Sequence, residues 1–168
     1  MLKTDQRILG IDPGSRATGF GLIDLISGQV KYLTSGIIKS TKGDFTDRLK
    51  VINQSVYKLI KEYNPDIMVI ESVFVHKNPS SALKLGHARA AALCATFDFN
   101  VTVFEYAPRE IKKAVVGTGA ASKEQVQHMV VSLLKLDGIP AEDAADALAA
   151  ALCYSNQRAM IEMLNAME

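Results

Sequence analysis

The chain has 168 residues, 48% hydrophobic and 22% charged, with a formal net charge of +1. These are globular proportions, without repeat, low-complexity tract or linker, and residues 1–168 are expected to form one domain. A chain of this length buries about 70% of its unfolded surface, so folding requires neither disulfides nor a structural metal, and no run reaches the roughly 18 apolar residues of a membrane span. The charged segment Met1 to Arg7 has no apolar core behind it, which makes the cytoplasm the expected location.

Charge is unevenly divided. Residues 1–75 carry a net +2, residues 76–123 a net +4 and residues 124–168 a net −5. The middle third is the natural place to meet a polyanion, and the last third repels one unless cations intervene. Cys94 and Cys153 each fall in an Ala/Leu-rich helical pattern and are expected to be buried, reduced thiols. Neither shows ligand spacing with His76, His87 or His128, which argues against a zinc site.

In chain order, Arg7 to Asp12 is a short apolar strand stopped by Pro13-Gly14. Thr18 to Leu25 and Val30 to Lys39 read as two more strands joined at Ser27-Gly28, completing an antiparallel meander. Asp44 to Tyr63 carries Leu49, Ile52, Val56, Leu59 and Ile60 at helical spacing. Asp66 to Glu71 is a buried strand, Ser81 to Phe97 an Ala-rich helix, and Val101 to Tyr106 a final strand. Ser122 to Leu134 is a helix opened by a capping box of Ser122 and Gln125, and Pro140 opens the last helix. The predicted order is β-β-β-α-β-α-β-α-α: an α/β fold with a mixed five-stranded sheet, a three-stranded antiparallel meander plus two parallel strands, flanked by helices. If the Asp66–Glu71 strand pairs in parallel with the first, Asp12 and Glu71 finish at one edge of the sheet, where ligands bind in open α/β folds.

Four acids stand out. Asp143 and Asp146, three apart in the first turns of the last helix, share a face flanked by alanines. Singly, each acid has an ordinary explanation. Asp12 closes a turn, Glu71 is a solvated strand end, and the helical pair sits at a favourable helix N-terminus. Jointly they are harder to dismiss. Two end apolar strands, where an unpaired charge is costly, and no Lys or Arg lies at helical or cross-strand spacing to neutralise the other two. Converging carboxylates repel one another unless cations compensate. All-oxygen sites suit Mg²⁺, with Mn²⁺ as substitute, and one or two such ions are the machinery of phosphodiester hydrolysis.

The segments Gly10 to Gly21, Ile70 to Phe74, Asn78 to Gly86, Phe104 to Tyr106, Val115 to Gly117, Lys123 to Val130 and Asp143 to Ala149 resemble the RuvC family of bacterial Holliday-junction resolvases, over about residues 7 to 152. The resemblance implies an RNase H-like fold, a homodimer, and paired Mg²⁺-dependent nicking of four-way DNA junctions in recombination and repair, alongside a branch-migration helicase of RuvA and RuvB. It assigns catalysis and one or two metal ions per subunit to Asp12, Glu71, Asp143 and Asp146, with active-site lysines at Lys112 and Lys123. It puts Phe74 beside the junction centre, where it stacks on a base or merely packs locally. Arg16, Lys77, Lys84, Arg89 and Lys113 are candidate phosphate contacts, which fix position rather than read sequence.

A two-fold symmetric junction needs two symmetric cuts, which a C2 dimer supplies. The Ala-rich face of residues 82–97 is the candidate interface, although much of it must cover the sheet. Rival readings are another RNase H-like nuclease acting on RNA or other branched DNA, an inactive junction-binding scaffold, and an actin-like ATPase fragment. The last also opens with Asp-x-Gly on a hairpin, but it needs two such domains, and this chain has no second Asp-x-Gly-rich turn.

Overall fold

The computed structural model describes residues 5–73 and 78–165. Strands β1 (Gln6–Asp12), β2 (Ala17–Ile26) and β3 (Gln29–Lys39) form the antiparallel meander. Strand β4 (Ile67–Glu71) lies parallel to β1, and β5 (Thr102–Tyr106) parallel to β4. The order across the sheet is β3-β2-β1-β4-β5, the expected RNase H-like arrangement.

The two-residue alternation of a strand divides the core. From β1 and β4, Leu9, Ile11, Met68 and Ile70 point to one face, where they pack with α1 (Phe45–Tyr63) and α2 (Pro79–Cys94). Ile8, Ile67 and Val69 point to the other face, covered by α3 (Pro108–Val116), α4 (Lys123–Leu134) and α5 (Glu142–Asn165). By the same alternation, Asp12 and Glu71 project on the α5 face, one residue past the paired Ile11 and Ile70. Two acids 59 positions apart in the chain become neighbours through strand pairing alone.

Helix α5 is the central element of that face and touches β1, β2, β3 and β4. It comes close because the sheet is bare beneath it. A Cβ on Gly10 would lie 1.9 Å from the Ala147 carbonyl oxygen. Ala144, Ala145, Ala147 and Leu148 are all buried there. This seat holds the first turns of α5 over the ends of β1 and β4.

The other end of the sheet is latched by polar pairs. Arg7 donates to both carboxylate oxygens of Asp24, at 2.7 and 3.0 Å, and its backbone N–H donates to Asp66 at 2.9 Å. Among the described residues, no helix is long and apolar enough to cross a membrane.

Two expectations are corrected. The chain has a further helix, α3, whose Pro108 at the first turn, Ile111 and Val115 one turn apart, and left-handed Gly117 stop are ordinary helix signals. Its nine residues are short enough to be read as a connection. Cys94, expected inside, is exposed at the end of α2, whereas Cys153 is buried as expected. The capping box of Ser122 and Gln125 is present.

Leu148 is fully buried on α5 and its side chain fills the space above Gly21. Leu148→Ala is expected to cost about 2–5 kcal/mol of stability, measured by urea denaturation; a loss below about 1 kcal/mol would contradict this packing.

Candidate active site

Asp12 ends β1 at the point where the chain turns through Pro13 and Gly14. The Thr18 hydroxyl donates to the Gly14 carbonyl at 2.9 Å and closes that turn. Glu71 ends β4, and Asp143 and Asp146 stand one turn apart on α5. All four carboxylates line one cavity of about 230 Å³, together with Pro108, Ile111, Lys112, Lys123 and Val126. Lys112 comes from α3 and Lys123 from the first position of α4. The structure thus brings together the six residues expected to carry the chemistry.

Among the described residues, ion pairs join Arg7 to Asp24, Arg89 to Glu105 and Lys123 to Glu142, and none involves the four acids. For Asp12, Glu71 and Asp146, burial is thus not offset by a close ion-pair partner. Asp12 is pushed up to about 8, first by burial, then by the Glu71, Asp146 and Asp143 carboxylates, against the pull of Lys123. Glu71 rises to about 7, by burial and then Asp146, with Lys112 and Lys123 opposing. Asp146 is also raised by burial, again against Lys123 and Lys112. The cavity is short of positive charge, and the two lysines supply only part of it.

The donor set fits a hard divalent cation: four carboxylates, two of them substantially desolvated, around one small cavity. As the side chains stand, no three His, Cys, Asp or Glu among the described residues are gathered closely enough to clasp one ion. Sharing an ion requires the carboxylates to turn inward across the cavity.

The other expected contacts are dispersed. Arg16 is exposed on the β1–β2 turn, Lys84 on α2 and Lys113 on α3, next to Lys112. Arg89 is half-buried on α2 and ion-paired with Glu105 of β5, so its charge already has a partner. Phe74 and Lys77 lie outside the described residues. Glu142, which no sequence argument singled out, holds Lys123 at the cavity rim; its place just before Asp143, at the start of a helix, was the available signal.

The family profile of crossover junction endodeoxyribonuclease RuvC matches residues 8–154. A crossover junction endodeoxyribonuclease RuvC of Tolumonas auensis is 54% identical over 157 residues, covering 93% of this chain and 91% of that one. The chain belongs to the RuvC family. Among solved structures, Thermus thermophilus RuvC in complex with a Holliday junction substrate is 30% identical, with a TM-score of 0.85 over 92% of this chain and 96% of that one. A yeast mitochondrial Holliday junction resolvase shares the fold at 11% identity, with a TM-score of 0.71 over 96% of this chain and 84% of that one. The RuvC profile spans all four acids and both cavity lysines.

In the unfolded chain Asp12 and Glu71 titrate near 3.8 and 4.5; in the folded, metal-free site they hold their protons to about 8 and about 7. The stability this contributes is complete below about pH 4 and is lost as pH rises through those folded values. Melting temperatures in EDTA are expected to fall from about pH 4 to about pH 8. Asp12→Asn, which cannot ionise, is expected to flatten that fall. Identical pH slopes for the two proteins would contradict the burial of Asp12 among like charges.

Proposed function

We propose that this chain resolves Holliday junctions as a structure-specific DNA endonuclease, by paired and symmetric metal-dependent hydrolysis of phosphodiester bonds in recombination and repair. One observation carries the reading: four carboxylates from β1, β4 and α5 line one cavity with two lysines, in a chain of the RuvC family.

Asp12, Glu71, Asp143 and Asp146 hold one or two Mg²⁺ ions per subunit, with Mn²⁺ as substitute. Bound there, a divalent ion makes water a better nucleophile at neutral pH and neutralises charge developing on the phosphate. The protein contributes the rest. Its carboxylates would fix where the ions sit, its two lysines face the phosphate, and the apolar walls of Ile111 and Val126 limit the water around it. Water attacks phosphorus in line and gives up a proton to solvent, the bond to the leaving sugar oxygen breaks, and that oxygen takes up a proton from solvent. Lys112 and Lys123 donate hydrogen bonds to phosphate oxygens as negative charge grows on them. Lys123 exchanges its Glu142 partner for the phosphate to do so.

Residues 1–168 act as one nuclease domain. Arg16, Lys84 and Lys113, all exposed, hold the arms of the junction, with Lys77 and Arg89, while Phe74 stacks near its centre. Arg89 does so only by giving up Glu105. The active species is a homodimer, because two symmetric cuts need two sites. The inner face of α2 is committed to the sheet through Ala88 and Ala92, which leaves its outer face, with the exposed Leu83, for the partner subunit. The protein works in the cytoplasm with the RuvA and RuvB helicase.

Four-way junctions and linear duplex incubated with and without Mg²⁺ test the reading. Wild type is expected to cut only the junction and only with metal, and Asp12→Asn to bind it without cutting. Lys112→Ala and Lys123→Ala are expected to slow cutting about 10²-fold or more. Equal cutting of linear duplex contradicts the resolvase reading, and cutting by Asp12→Asn contradicts the site.

A further inference from the structure

We propose that Gly19 is a positioning residue for the acidic site: the space left by its missing side chain sets the distance between Asp12 and Asp143. The inference rests on the nuclease reading above and adds a residue to it.

Gly19 lies directly opposite Asp12 in the β1–β2 ladder, and directly opposed residues share one face of a sheet. On that face Gly19 meets the tip of α5. A Cβ built on it would lie 1.8 Å from the Asp143 carbonyl oxygen, 2.4 Å from its carbonyl carbon and 3.1 Å from the Ala144 nitrogen. All three are backbone atoms, so no rotamer change relieves the clash. Reaching even a tight contact of 3.0 Å requires the two backbones to part by about 1.2 Å. Gly19 does not have a left-handed φ, so glycine is required there for space rather than for backbone conformation.

The position of the clash gives it a consequence. Asp12 is held by its own pairing to Gly19 of β2 and by the preceding residue, Ile11, which pairs with Ile70 of β4. Asp143 is on the first turn of α5, the end of the helix most able to swing. A side chain at 19 therefore moves Asp143 away from Asp12 and leaves the rest of the helix on its seat. Gly36 is the matched control. A Cβ there would meet the Phe20 ring at 2.9 Å, and Phe20 packs on the opposite face of the sheet, with the α1 and α2 core.

The test titrates Mn²⁺ by calorimetry into wild type, Gly19→Ala and Gly36→Ala, with melting curves and junction binding in EDTA for each. Gly19→Ala is expected to melt cooperatively and bind the junction as wild type does, yet lose roughly tenfold to a hundredfold in Mn²⁺ affinity, the usual effect of disturbing the support of a metal ligand. Gly36→Ala is expected to bind Mn²⁺ as wild type does. In the double variant Gly19→Ala with Asp143→Glu, the longer carboxylate spans the widened gap and recovers part of the affinity. Unchanged Mn²⁺ affinity in Gly19→Ala, loss of its cooperative melting, or an equal affinity loss in Gly36→Ala each overturns the inference alone. Wild type that binds no Mn²⁺ overturns the nuclease reading together with it.

Discussion

Like charges held together in a desolvated cavity are the constraint on which this structure turns. A carboxylate removed from water is costly unless it is paired, and at the far end of the sheet the chain obeys that rule: Arg7 sits between Asp24 and Asp66. At the end that carries Asp12 and Glu71, four acids meet with two lysines lining their cavity. The fold tolerates this because covalent topology leaves no alternative. Asp12 and Glu71 are the last residues of adjacent parallel strands, and α5, seated on the glycines of β1 and β2, brings Asp143 and Asp146 over them. Burial first, and repulsion second, raise the proton affinity of Asp12 and Glu71, and a divalent cation would offset both.

This arrangement separates stability from activity along a single helix. Beyond its first turns α5 is a core element, with Leu148 to Tyr154 buried as a continuous run. Its first turns place the half-buried Asp143 and Asp146 in the cavity, beside the buried Ala144, Ala145 and Ala147. Lys123 follows the same logic. It is exposed, held only by Glu142 at the rim, and so can be drawn off by a phosphate without disturbing the core.

Much of this was legible in the residues. The meander, the parallel pairing that joins Asp12 to Glu71, and the shared face of Asp143 and Asp146 all follow from strand and helix periods, which are local rules. The approach of α5 to the sheet was hinted at by the alanines beside its two acids, but the glycines beneath it acquire their meaning only when the two surfaces meet. The lysines were legible by family resemblance alone, since Lys112 and Lys123 reach the acids from separate helices and no spacing along the chain encodes that. Helix α3, which carries Lys112, was missed because nine residues give too few turns for periodicity to declare itself. Cys94 was misplaced for a related reason: an Ala-rich helix offers weak amphipathic contrast, so its outward face is hard to tell from its inward one. Glu105, the partner of Arg89, lies on a neighbouring strand and could not be paired with it from sequence.

The central claim is that these four acids close on divalent ions. Anomalous diffraction from crystals soaked in Mn²⁺ measures this most directly. The account predicts density for one or two ions between Asp12 and the α5 acids, with the carboxylates turned inward from their metal-free positions. A well-ordered cavity that stays free of anomalous density at saturating Mn²⁺, with the acids still apart, would contradict it.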